Sequence, residues 1–140
     1  MPSAEDRLRH AQELHTEGRI EEAIAEARAA LELDPEYVEG WMYLGTTLVT
    51  RRLAFAEGLA ALEHAAQLAP QDAGVTYSLG WCYEFVAYRL EKQATTPYRD
   101  PMDLYRLAAE ELRRCIELNP EQGLTDDAQD LLDSIEARLE

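Results

Sequence analysis

Three times along the chain a helix-forming stretch ends on Leu-x-Pro, at Leu33–Pro35, Leu68–Pro70 and Leu118–Pro120. Proline has no N–H for an interior helical turn, and its ring disfavours helix at the residue before it, so each triplet closes a helix. The first two closures are followed by an aromatic-rich stretch carrying Leu-Gly, at Leu44-Gly45 and Leu79-Gly80. Punctuation of this kind marks a chain of helix pairs. No pair buries its apolar face alone, so each must stack on the next.

Apolar periodicity places the helices. A turn at Gly18-Arg19 separates helices over about residues 4–17 and 20–33, and the second pair covers about 38–50 and 54–69. Ile20, Ala23, Ile24, Ala27 and Leu31 recur at three- and four-residue steps, as do Leu59, Leu62 and Ala66, which are the core faces of their helices. Trp41 and Leu48 flank Leu44 and are expected in the core with it. Helix formers dominate, and no segment alternates with period two, so no strand is expected.

Trp41, Leu44 and Gly45 in one unit, and Tyr77, Leu79, Gly80 and Tyr83 in the next, resemble the W-x2-L-G-x2-Y run that opens a tetratricopeptide repeat. Small side chains recur in the second helices at Ala23 with Ala30, Gly58 with Ala65, and Ala108 with Cys115, where that family keeps its close helix crossings. The resemblance implies a single all-α domain, an α-α superhelix (solenoid) of three hairpins at about residues 4–37, 38–72 and 73–122. A capping helix over about 124–140 follows, with Ala128, Leu131, Leu132, Ile135 and Leu139 along one side. It also implies a non-enzymatic protein-interaction module, an adaptor or scaffold.

The fit is uneven. Arg7, His10, Ala11 and Leu14 stand where the first unit would carry its opening aromatic, Leu, Gly and Tyr, a departure that terminal repeats tolerate as caps. The second unit holds about one extra residue near Arg51–Ala54. In the third, Asp72 is the expected N-cap and the helix is expected to run to Gln93, ending near Thr95-Thr96-Pro97. The return helix restarts at Asp100-Pro101-Met102-Asp103, with Pro101 at its first position. The predicted hairpin has about 20 residues per arm and extends roughly 10 Å beyond the others.

On a helical wheel, Leu79, Val86 and Leu90 with Cys82 and Tyr83 form the core stripe of the third unit's first helix. Tyr77, Trp81, Glu84 and Tyr88 lie opposite, with Phe85 at the margin. In a tetratricopeptide array the first helices line a concave groove, and the repeat offset adds Met42, Thr46 and Val49, then Leu8, Gln12 and His15. These residues describe a protein- or peptide-binding groove, polar at one end and aromatic at the other. The competing reading folds the extra turns or the trailing helix onto Tyr77, Trp81 and Tyr88 and makes them core. The Lys, Asn and Arg clamp by which some family members hold acidic tails is missing, since Leu8, Gln12, Met42, Tyr43, Thr46 and Tyr77 occupy its places.

Charge narrows the partner. With 13 Lys and Arg against 28 Asp and Glu the formal net charge is −15, which disfavours nucleic acid, whose phosphates require clustered bases. An apolar or basic-apolar peptide or helix fits better, with a basic residue facing Glu84 or Glu39. Two further uses stay open: self-assembly, with a helix of one copy in the groove of another, and regulation of an enzyme as its subunit. Cys82 and Cys115 lack C-x-x-C spacing, His10, His15 and His64 do not form a ligand set, and the glycines are dispersed. No catalytic constellation, metal site or cofactor is therefore expected. No apolar stretch reaches the roughly 20 residues of a membrane span, and a cytoplasmic setting is the default expectation.

Overall fold

The computed structural model describes residues 1–93, 98–118 and 120–140. The expected end of the fifth helix at Thr95-Thr96-Pro97, and Asn119 within the third Leu-x-Pro, lie outside the described residues. The described residues are all-helical: α1 (Ala4–Thr16), α2 (Ile20–Leu33), α3 (Val38–Arg52), α4 (Phe55–Leu68), α5 (Ala73–Glu91), α6 (Pro101–Glu117) and α7 (Gln122–Leu139). They fall into two compact units, Met1–Leu68 and Ala69–Glu140.

In the first unit α1 pairs with α2 and α3 with α4, and α2 packs on α3 to join the hairpins. Ser3 caps α1 reciprocally: its hydroxyl accepts the Asp6 N–H at 3.1 Å while the Asp6 carboxylate accepts the Ser3 N–H at 3.0 Å. One core cluster gathers Leu8, Ala11 and Leu14 of α1, Ala23, Ile24, Ala27 and Leu31 of α2, and Leu44 and Leu48 of α3. Trp41 is only half-buried at its margin, with its indole N–H donated to the Pro35 carbonyl at 2.7 Å. Ala66 is likewise half-buried rather than interior.

The α3–α4 crossing is close. A Cβ on Gly45 would lie 2.8 Å from the Gly58 carbonyl oxygen, and one on Gly58 would lie 2.9 Å from that of Gly45. The extra residue of this repeat is absorbed at Leu53, which caps α3 with φ +53°, a left-handed backbone that Gly18 adopts with φ +80° after α1.

In the second unit α5 pairs with α6, and α7 packs mainly on α6 and also touches α5. Asp72 caps α5 by accepting the Gly74 and Val75 N–H groups at 2.9 and 3.2 Å. Asp100 accepts the Met102 N–H at 3.0 Å, with Pro101 opening α6. Leu79, Cys82, Tyr83, Val86 and Leu90 of α5 are buried, as are Leu104, Tyr105, Ala108, Leu112 and Cys115 of α6. Gly80 admits Leu112 closely, since a Cβ there would meet its Cγ at 3.0 Å. α5 stops at Glu91, short of Gln93, so the arms are 19 and 17 residues and shorter than the 20 the pattern implied. α7 starts at Gln122, two residues before the expected 124, where the Glu121 side chain accepts the Leu124 N–H at 3.1 Å. Its buried residues are Ala128, Leu132 and Ile135, while Leu131 and Leu139 are half-buried.

Candidate functional site

The groove residues named from sequence separate by unit. In the first, Gln12 is exposed and His15, Met42 and Thr46 are half-buried. His15 is held by Tyr43, whose hydroxyl lies 2.8 Å from Nδ1, with the two rings edge to face at 5.7 Å. Two of the set are corrected. Leu8 is 5% exposed and belongs to the core cluster, and Val49 is 0% exposed with its Cγ2 in the space beside Gly58. Projecting a repeat offset along an idealised wheel puts both on the groove-lining face. The close approach of α3 and α4 at the paired glycines instead turns Val49 into the crossing.

A shallow depression of about 370 Å³ opens between the start of α1 and that of α3, lined by Glu5, Arg9, Gln12, Tyr37 and Glu39, with Leu8 as its floor. Its rim is polar and carries both charge signs. Burial, followed by the Glu39 and Glu5 carboxylates, holds the Tyr37 hydroxyl protonated to higher pH than usual.

The second unit keeps its predicted aromatics on one face of α5. Trp81 is 36% exposed and Tyr88 42%, and Tyr77, Glu84 and Phe85 are half-buried. Residues 81, 85 and 88 stand one and two helical turns apart, so their rings share a stripe. Trp81 stacks on Phe85 with centroids 5.5 Å apart and planes 22° from parallel. The alternative in which the trailing helix buries these rings holds in part: Tyr77 is half-buried with Asp127 of α7 acting on its hydroxyl, while Trp81 and Tyr88 stay exposed. α7 reaches Tyr88 through Arg138, whose Cζ lies 5.4 Å from that ring and 5.3 Å from the buried ring of Tyr105, while its guanidinium pairs with Glu91 at 3.2 Å.

Cations that sequence reading left unassigned complete this face. The Arg89 guanidinium sits 5.0 Å from the Phe85 ring centre and the Lys92 ammonium 5.2 Å from that of Tyr88. Phe85 with Arg89 and Tyr88 with Lys92 are both i, i+4 pairs, a signal available in the sequence. With Glu84 these four line a second depression of about 370 Å³. Glu84 is not a free surface acid, because burial pushes its carboxyl above the usual range, with Arg138 drawing it partly back. Burial likewise raises the Tyr77 hydroxyl, with Asp127 and Cys115 adding to it.

Among the described residues no group of three His, Cys, Asp or Glu side chains is placed to hold a metal ion, and no helix is long and apolar enough to cross a membrane. Cys82 and Cys115 are both buried thiols.

Comparison with known proteins agrees with this architecture. Residues 7–37 match the model of the tetratricopeptide repeat family. That match falls on the unit whose opening positions depart most from the motif and which keeps the small Ala23 and Ala30 ahead of Pro35. The crystal structure of YrrB, described as a TPR protein with an unusual peptide-binding site, superimposes with a TM-score of 0.66 at 19% identity, covering 93% of this chain and 58% of that one. At that identity the likeness is one of fold, and this chain spans little over half of YrrB's length. No curated protein sequence matches.

Proposed function

Proceeding from a chain that carries a tetratricopeptide repeat on the fold of a tetratricopeptide-repeat protein, we propose that it is a non-enzymatic adaptor that receives an apolar segment of a protein partner on the outer face of α5. Repeats of this family serve as protein-interaction frameworks, and YrrB is described as having an unusual peptide-binding site. The carrying observation is the partly exposed Trp81–Phe85 stack beside the exposed Tyr88. Trp and Tyr anchor interfaces because each offers a large rigid area with a polar handle at small entropic cost. The polar residues of the first unit, Gln12, His15 and Thr46, offer hydrogen bonds and no comparable apolar area.

The test is affinity capture with the full chain, comparing the wild type with Trp81→Ala/Tyr88→Ser and with Gln12→Ala/Thr46→Ala. Anchors of this type contribute about 2 kcal/mol or more, roughly thirtyfold in affinity, so the first pair should lose the partner while its melting curve stays nearly unchanged. Equal retention by both pairs removes α5 as the working face. A collapse in the melting temperature of the first pair makes these aromatics core. Acrylamide quenching of single-tryptophan variants checks exposure without a partner, and Trp81 should be quenched more readily than Trp41.

A further inference from the structure

Resting on that reading of the α5 face, the partner's chemistry follows from the cations on it. The chain has more than twice as many acids as bases, and most bases are spent on its own acids, as in Arg7–Glu26, Arg28–Glu57, Arg113–Glu136 and Arg138–Glu91. Arg89 and Lys92 are different. Neither makes an ion pair among the described residues, and each is laid over an aromatic ring on the rim of the same depression. They stand three residues apart, Arg89 in the last turn of α5 and Lys92 at its C-cap, roughly 4.5 Å along the axis. The one carboxylate in that lining, Glu84, is half-buried and faces Arg138 as well.

We propose that the segment bound here is an amphipathic helix of the partner carrying two carboxylates about one turn apart, engaged by Arg89 and Lys92, beside a large apolar side chain resting on the Trp81–Phe85 stack. Two cations separated by a helical turn match acids at i, i+3 or i, i+4 of a facing helix. These cations lie near the end of α5, well beyond Tyr77, so they are distinct from the vacant clamp positions. The basic partner that net charge suggests gives way locally to an acidic one. A second copy of this chain is the poorer occupant: its acidic helix α7 has already buried Ala128, Leu132 and Ile135 within its own unit.

A displayed library of amphipathic helical peptides tests this, with flanking positions drawn from Glu, Gln, Lys and Ala and the apolar face from Leu, Met, Phe and Trp, selected on the full chain. Selected peptides should carry Glu at two positions one turn apart. The synthetic winner, read by fluorescence anisotropy, should bind about tenfold more tightly than its Gln counterpart, as two partly exposed charge pairs permit. Arg89→Gln/Lys92→Gln should abolish that preference, so that the Glu and Gln peptides bind the variant equally. Winners that carry Lys, or that show no charge preference while still depending on Trp81, overturn the acidic assignment and leave the aromatic face standing. No enrichment over a Trp81→Ala/Phe85→Ala control overturns both. A dimer in sedimentation that Arg89→Gln/Lys92→Gln dissociates overturns it in favour of a second copy.

Discussion

Gly45 of α3 and Gly58 of α4 face one another so closely that a Cβ on either would lie within 2.9 Å of the other's carbonyl oxygen. Neither side can yield by rotating a side chain, because the obstruction is backbone. The added carbon at Gly45 would also meet Leu62 Cγ at 2.6 Å. The two glycines therefore set the spacing of the hairpin and the inward placement of Val49.

Gly45→Ala should lower the stability of the first unit by about 1–3 kcal/mol through overpacking, and Gly45→Leu by more. Gly123→Ala in α7 is the control. A Cβ there would lie 3.3 Å from the Glu121 carboxylate that caps α7, a side chain that can shift, so alanine's better helix propensity offsets the crowding and stability should change by less than about 1 kcal/mol in either direction. Urea midpoints of the two variants decide the matter, and an unchanged Gly45→Ala midpoint refutes the tight crossing.

Leu53→Gly should stabilise. The leucine is exposed and sits at φ +53°, where an L-residue with a Cβ is disfavoured by about 1–2 kcal/mol. Glycine removes that penalty and gives back part of it through a more disordered unfolded chain, for a net gain of about 0.5–1 kcal/mol. A higher melting temperature is expected, and a lower one means the leucine side chain makes contacts worth more than the strain.

The hydroxyl of Tyr105 is buried near Glu91 without a hydrogen bond of normal geometry among the described residues. Burial first, and then the Glu91 carboxylate, push its pKa up to about 12. The unfolded chain releases this proton near pH 10, so between about pH 10 and 12 the unfolded state binds fewer protons and stability falls as pH rises. Tyr105→Phe should be neutral or stabilising at pH 8, since it deletes an unsatisfied group. It should also lose less melting temperature than the wild type between pH 9 and pH 11. Marked destabilisation at pH 8 would show that the hydroxyl has a partner.

Deleting residues 122–140 should lower the melting temperature by several degrees and promote aggregation. The deletion bares the side of α6 against which α7 packs and removes Ala128, Leu132 and Ile135 from the core, each large aliphatic contributing about 1.5–3 kcal/mol. It also takes Arg138 off Tyr88 and Glu91. Arg138→Gln in the intact chain separates the two effects, with a small stability loss and greater Tyr88 accessibility expected. Full solubility and an unchanged melt after truncation would make α7 a detachable element rather than a cap.

The sequence by itself determined the helical class, the hairpin punctuation and the small-residue crossings. Leu-x-Pro endings, the Asp72 and Asp100 caps and the three- and four-residue apolar steps are local signals, and helix formation obeys them wherever the helix later packs. Trp81 and Tyr88 could be assigned to the outer face of α5 because a wheel fixes angles around one axis. What covers a face is a matter of neighbouring helices, and only the tertiary structure decided it. The glycine-paired approach of α4 drew Val49 into the interior, and the α1 core took Leu8. The end of α7, 50 residues along the chain from Tyr88, laid Arg138 on that ring. Arg89 and Lys92 were legible as i, i+4 partners of Phe85 and Tyr88, yet whether they would pair with some of the 28 acids or stay on the rings depends on distances that no one-dimensional pattern contains.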